Sequence, residues 1–268
     1  MATRVKFWLQ DQAIGNFGDA LALVYRDLMF TNECRFSHGT LYLVGSVIEP
    51  GRIKAAQRNG FKPEDGRGQA IFWGCGLQNA KPLSAELLTS CFFLGVRGAH
   101  SRDVLGLPKY TPLGDTALLL PRFYQPKHDP AVAGKVLWVH HLRHTAPTAE
   151  DLESCPDSVV MSPATENTTE ACLRFIDAIA SAKFVMANAM HAAIVALAYG
   201  VPFAFWSGTG VNYPFKWGDF TSGVGFELGF ARSYAEGVAL YDQTRPDRAW
   251  QSMNLDPLLK MAPFNLKV

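Results

Sequence analysis

Eight short apolar runs punctuate the chain, and several are apolar at every position instead of at every second one. They are VKFWL (5–9), TLYLVGSV (40–47), AIFWG (70–74), FFLGV (92–96), KVLWVH (135–140), SVVM (158–161), KFVMA (183–187) and PFAFW (202–206). A strand wetted on one face alternates, whereas one covered on both faces does not need to. The runs therefore predict buried strands of parallel sheets. Helical patterns lie between them. Asp19 to Phe30 spaces Leu21, Val24, Leu28 and Met29 at helical intervals, and about Thr168 to Ala182 puts Leu173, Ile176 and Ile179 on one face. The second pattern opens with Asn167-Thr168-Thr169-Glu170, a cap residue with Glu three places on, which is the spacing of a capping box. Strands alternating with helices predict an α/β class of two Rossmann-like domains with parallel sheets.

At 268 residues the chain has room for one large domain or two of about 100–150 residues. The stretch RFYQPKHDPAVAG (122–134), with two prolines and mixed charge, is the expected linker. It divides the chain into 1–125 and 126–268, with the tail 245–268 left unassigned. An apolar fraction of 48% excludes intrinsic disorder. A net charge of +1, from 25 basic and 24 acidic residues, argues against a general nucleic-acid binder but leaves room for a small anion held by a few cations. The five cysteines are scattered, with neither a disulfide framework nor zinc-like spacing. From Phe184 to Phe215 there is no Asp, Glu, Lys or Arg. Asn188, His191 and Gly200-Val201-Pro202 interrupt this stretch, so it reads as a buried helix and strand, not a membrane span. With no signal-like start, the expected location is cytoplasmic.

Ligands of open parallel sheets sit beyond the carboxyl ends of strands, so polar residues following the apolar runs are the candidates. Gly15-Asn16-Phe17-Gly18-Asp19 opens a helix, either aiming amide N–H groups at a ligand or simply capping it. Gly95-Val96-Arg97-Gly98 leaves an arginine on a loop, suited to phosphate or carboxylate or else a surface residue beside a turn. Trp138-Val139-His140-His141-Leu142-Arg143-His144 reads as a polar cleft lining more readily than as a metal site. His191 is the one ionisable group in its uncharged stretch and stands at a strand-to-helix junction, a proton-exchanging group or a buried structural histidine. Lys216-Trp217-Gly218-Asp219 is a charged cluster or a solvated loop, and Gly114-Asp115 reads as a structural turn.

In order along the chain, NFGDAL (16–21), GVRGAHSRDVLG (95–106), GDTALLLP (114–121), MHAAIVALAYGVP (190–202) and KWGDF (216–220) resemble the polysaccharide pyruvyltransferase family, closest to its bacterial exopolysaccharide ketal branch. YLVGS (42–46) and IFWGCG (71–76) are similar to the family's sheet strands, and the resemblance spans about 5–230. It implies a two-domain fold like the B-type glycosyltransferases, with the acceptor on the N-terminal side and the donor on the C-terminal side. It also implies transfer of the carboxyethylidene unit of phosphoenolpyruvate onto two hydroxyls of one hexose, forming a cyclic ketal without metal or further cofactor. The implied acceptor is a lipid-linked repeat unit at the cytoplasmic face of the inner membrane.

On that resemblance Arg97 is expected to grip the donor, His191 to supply the proton and Asp19 to accept one from a hydroxyl. His141, Lys216 and Arg143 complete the donor pocket, and Asn16, Ser46 and Gly76 line the acceptor side. Domain closure over the donor is expected to exclude water. One departure stands out: on the resemblance many relatives carry Arg-Leu-His where this chain has Ala189-Met190-His191, and Lys216 or Arg143 could supply the missing cation. Two rivals remain, a nucleotide-sugar glycosyltransferase of the same architecture and an assembly subunit that has lost catalysis.

Overall fold

The computed structural model describes residues 4–9, 13–59, 69–143, 146–155, 157–208, 210 and 213–267. Its strands are β1 (Arg4–Phe7), β2 (Ile14–Asn16), β3 (Phe30–Cys34), β4 (His38–Tyr42), β5 (Ala70–Cys75), β6 (Cys91–Val96), β7 (Val136–Val139), β8 (Ser158–Met161), β9 (Ala164–Glu166), β10 (Phe184–Ala187), β11 (Phe203–Trp206), β12 (Phe230–Ala231) and β13 (Phe264–Leu266). The α-helices are α1 (Phe17–Val24), α2 (Pro50–Asn59), α3 (Ala85–Leu88), α4 (Ala99–Val104), α5 (Ala149–Glu153), α6 (Thr169–Ser181), α7 (Met190–Ala198), α8 (Pro214–Val224), α9 (Tyr234–Thr244), α10 (Pro246–Ser252) and α11 (Asp256–Lys260). A π-helical turn over Tyr25–Met29 and a 3-10 helix over Thr116–Arg122 complete the set.

Two parallel sheets dominate, as the apolar runs predict: β1-β4-β5-β6 in the first half and β12-β11-β10-β7-β8 in the second. Every residue of β5, β7, β10 and β11 is buried, which is why these runs do not alternate. The uncharged stretch becomes β10, α7 and β11. Helix α7 is buried at every position except His191, so the helix runs through the core and only its second residue reaches a polar environment.

Two details differ from the sequence expectation. The cap of α6 is Thr168, whose hydroxyl accepts from the Ala171 amide, and Asn167 instead donates its amide to the Ala13 carbonyl beside β2. The helix expected over Asp19–Phe30 starts at Phe17, and its last turn widens into the π form before Phe30 enters β3.

The halves are stitched together at several points. Strand β2 pairs antiparallel with β9, and the Phe17 amide donates to the Pro163 carbonyl. Phe17 stacks on Phe175 of α6 with centroids 4.2 Å apart. One apolar core runs through both sheets, from Leu43, Ile71 and Trp73 through Leu119 to Val185, Ile194 and Phe205. The tail crosses back to the first half: β13 pairs with β3, and the Trp73 indole N–H donates to the Leu258 carbonyl at 2.9 Å. Phe264 is 7% exposed and stacks on Phe7 and Phe30, and Phe226 is likewise buried.

The tail is therefore structural. Phe264→Ala should cost about 3 kcal/mol, the lower end for emptying a buried phenylalanine site. Chemical denaturation that returned a change below about 0.5 kcal/mol would show that β13 does not stabilise the first half.

Candidate functional site

A cleft of about 650 Å³ opens between the halves. Its walls come from segments that follow strands: Trp8 after β1, Ser46 after β4, Gln78 after β5, His141 and Arg143 after β7, Pro163 after β8, and His191 after β10. This is where parallel sheets place their ligands. Of the residues expected from the sequence, Asn16, Asp19, Ser46, His141, Arg143, His191 and Lys216 all line it. Arg97 and Gly76 do not. His144 lies outside the described residues.

Three helices begin at this cleft. Asn16 caps α1, its side-chain oxygen accepting from the Gly18 amide at 3.2 Å. Ala189 and Tyr213 occupy the cap positions of α7 and α8 without a side-chain cap bond, and both line the cleft. Tyr213 holds a left-handed φ of 55°, an uncommon conformation for a bulky residue. Helix N-termini carry partial positive charge and orphan N–H groups. Three of them around one cavity make an electropositive basin before any side chain is counted.

Side chains add to it. Lys216 of α8, partly buried, has its pKa drawn down to about 8, first by burial and then by the Arg97 charge, while Asp19 pulls it back up. Asp19, in the first turn of α1, lines the same cleft. Arg143 and His141 come from the turn after β7, where the Arg143 amide donates to His141 Nδ1 at 3.2 Å. Arg52 lies 3.9 Å over the Trp8 ring at another wall. Ala189 brings no charge to its corner, and both cations expected to compensate, Lys216 and Arg143, share the cavity with it.

His191 is clamped from two sides. A Cβ at Gly18 would stand 2.1 Å from its Nδ1, so α1 admits the ring only because Gly18 has no side chain. The Gly18 of NFGDAL is thus a matter of close approach. On the far side Nε2 lies 3.7 Å from Oδ2 of Asp115, a fully buried carboxylate. Sequence reasoning missed Asp115. Gly114-Asp115 reads as a structural turn, Asp115 in fact caps the 3-10 helix, and nothing local announces a partner in α7.

Arg97 is 0% exposed and closed in by protein. Its Nε and Nη2 contact Asp219 Oδ2 at 3.0 and 2.9 Å, Nη1 donates to Ser46 Oγ at 2.8 Å, and Nη2 also donates to the Leu77 carbonyl at 2.9 Å. The guanidinium does not line the cavity in this structure, because Asp219, read from sequence as part of a charged cluster or a solvated loop, has taken it. Gly76 serves the same junction: a Cβ there would stand 2.3 Å from Arg97 Nη2. Gly98 and Gly223 let this loop pack against α8, with would-be Cβ atoms 1.6 Å from the Asp219 oxygen and 2.2 Å from the Arg97 oxygen.

Among the described residues no group of three or more His, Cys, Asp or Glu side chains could hold a metal ion, and no helix is long and apolar enough to cross a membrane.

The Asp19–Lys216 coupling has a direct test. Lys216 should titrate near pH 8, its charge lost as pH rises through that point. Asp19→Asn removes the anion that favours the charged form, so the midpoint should move lower still. Carbon-13 NMR of the reductively methylated protein would follow it, and an unmoved midpoint would break the link.

A family model, polysaccharide pyruvyl transferase, matches residues 16–171, more than half of the chain. The matched span carries Asn16, Asp19, Ser46, Arg97, Asp115, His141 and Arg143, and the cleft geometry adds His191 and Lys216 from beyond it. Comparison with curated proteins and with solved structures found no match. With glycine-opened α1, buried Arg97 and buried Asp115 all falling inside the matched span, this chain belongs to the polysaccharide pyruvyl transferase family.

Proposed function

We propose that the cleft moves the pyruvyl (carboxyethylidene) group of phosphoenolpyruvate onto two hydroxyls of one hexose, in a polysaccharide or lipid-linked oligosaccharide, forming a cyclic ketal and releasing phosphate. One observation carries this reading: three helix N-termini, Lys216 and Arg143 surround a cavity that also holds His191 and Asp19. A donor bearing both phosphate and carboxylate matches that charge. A proton donor and an acceptor beside it match the chemistry.

The steps assign as follows. Lys216, Arg143 and His141 hold the donor's anionic groups. His191 gives a proton to the methylene carbon, the C=C pair forms the new C–H bond, and the adjacent carbon becomes oxocarbenium-like. A sugar hydroxyl attacks that carbon as Asp19 takes its proton, with Asn16 and Ser46 lining the acceptor side. The C–O bond to phosphate then breaks, and the second hydroxyl closes the ketal. Of the two hydroxyl protons, one replaces the proton that His191 gave to the new methyl group and the other leaves on phosphate. Arg97 acts from behind the wall, orienting Ser46 and adding positive charge beside Lys216.

Thermal unfolding with phosphoenolpyruvate, and separately with nucleotide sugars, tests the donor. A ligand at a hundred times its Kd adds about 2.7 kcal/mol of stability. Phosphoenolpyruvate should raise the midpoint. Lys216→Ala should weaken its binding by roughly 1.5–3 kcal/mol, the usual worth of a hydrogen bond to a charged group. His191→Ala should keep the stabilisation yet lose acceptor-dependent phosphate release. Stabilisation by nucleotide sugars alone would replace this reading with a glycosyltransferase. No response to either, with acceptor polysaccharide also present, would point to an assembly subunit without catalysis.

A further inference from the structure

Resting on the reading of His191 as proton donor, we infer that Asp115 is the residue that positions it, holding a proton on Nε2 so that Nδ1 does the exchange at the cleft. Asp115 is wholly buried and is not part of the cleft lining. Its two oxygens have separate tasks. Oδ1 accepts from the Ala117 amide at 3.0 Å and caps the 3-10 helix, which fixes the carboxylate. Oδ2 points at His191 Nε2, 3.7 Å away, and among the described residues neither atom has a hydrogen-bond partner. Two buried polar atoms left without other partners and facing each other indicate a relation between them, since burying either alone is costly. The separation is longer than a hydrogen bond, as catalytic contacts often are before substrate binds.

The neighbours restrict the alternatives. Tyr25, from the π turn, is fully buried near Asp115; burial first and the Asp115 charge second push its phenol well above its usual range, so it stays neutral. The Thr116 hydroxyl donates to the Leu43 carbonyl. Gly18 presses on the Nδ1 edge of the ring, and Gly18 lines the cleft. Asp19 and Lys216 face the cavity from α1 and α8.

A neutral imidazole carries one N–H, and the hydrogen bond at one nitrogen decides which. A carboxylate beside Nε2 selects the Nε2–H form and stabilises the imidazolium that delivers a proton from Nδ1. After transfer the ring keeps its Nε2 proton, and Nδ1 accepts the next one. The proton moves between Nδ1 and the reacting carbon.

Asp115→Asn preserves the cap through its amide oxygen and puts an NH₂ where Oδ2 stood, so it should drive the ring proton onto Nδ1. Nitrogen-15 NMR of histidine-labelled protein, with His191 assigned by its loss in His191→Gln, should show Nε2–H in the native protein and Nδ1–H in Asp115→Asn. Turnover should fall about 100-fold, the low end of general acid–base contributions, while KM for phosphoenolpyruvate changes less than about threefold, because Asp115 does not line the cavity. An Nδ1–H ring in the native protein would overturn the inference, even if Asp115→Asn failed to fold. Normal turnover in Asp115→Asn, with His191→Ala inactive, would overturn it and leave the proton-donor reading standing. Normal turnover in His191→Ala would instead remove the proton-donor reading and the catalytic part of this inference with it.

Discussion

The buried pair of Arg97 and Asp219 is the constraint on which the cleft depends. It joins the loop after β6 to helix α8, and α8 carries Lys216 three residues earlier. Asp219 also accepts from the Ser101 amide and hydroxyl, both at 2.7 Å, so the first turn of α4 is tied to the same carboxylate. Arg97 in turn holds Ser46 at the opposite wall. Removing one partner of such a pair leaves an uncompensated buried charge, at a cost of about 3–5 kcal/mol. Three glycines, at 76, 98 and 223, make the close approach possible. Loss of activity on replacing Arg97 would therefore report first on the cleft's construction and only then on ligand contact.

The same stitching bears on how water is kept from the reaction. Hinged closure needs halves that part easily, and these share the β2–β9 ladder, the Phe17–Phe175 stack, the Arg97–Asp219 pair and one apolar core. Opening the chain along the linker would break all four together. Smaller movements need not. The turn bearing Leu142 and Arg143 and the strained Tyr213 ahead of α8 border the cleft with partly exposed side chains. Under the proposed reading, shielding of an oxocarbenium-like centre falls to these rim segments more readily than to rotation of whole halves.

Much of this was legible in the sequence, and the limits have physical causes. Buried parallel strands announce themselves because covering both faces removes alternation, so β5, β7, β10 and β11 fall within a residue of their apolar runs. Short antiparallel pairs such as β2–β9 and β3–β13 are invisible locally, since their partners lie far along the chain and their burial is mixed. Polar residues following strands predicted most of the cleft, because topology places such positions at one edge. Two carboxylates were only half legible. Asp115 reads as part of a structural turn and Asp219 as part of a charged cluster or a solvated loop, and only the fold brings each against its partner, His191 in one case and Arg97 in the other. Charge reads as exposure in a sequence until a partner more than seventy residues away is known.

The absence of an arginine ahead of His191 then becomes understandable in electrostatic terms. Under the proposed reading, with Arg97 paired to Asp219 behind the wall and no charge at Ala189, the donor is met by helix N-termini, Arg143 and a lysine whose own charge is conditional. Lys216 titrates near 8 because burial and Arg97 oppose its ammonium form. An arriving phosphate or carboxylate reverses that balance, since an opposite charge favours the protonated amine. Under the proposed reading the donor therefore completes its own counter-charge on binding, at the same cavity where Asp19 already leans on Lys216. Under that reading base and anion anchor are coupled: Asp19 supports the charged form of Lys216 until it takes a hydroxyl proton, and from then on the departing phosphate is the anion that keeps the amine protonated.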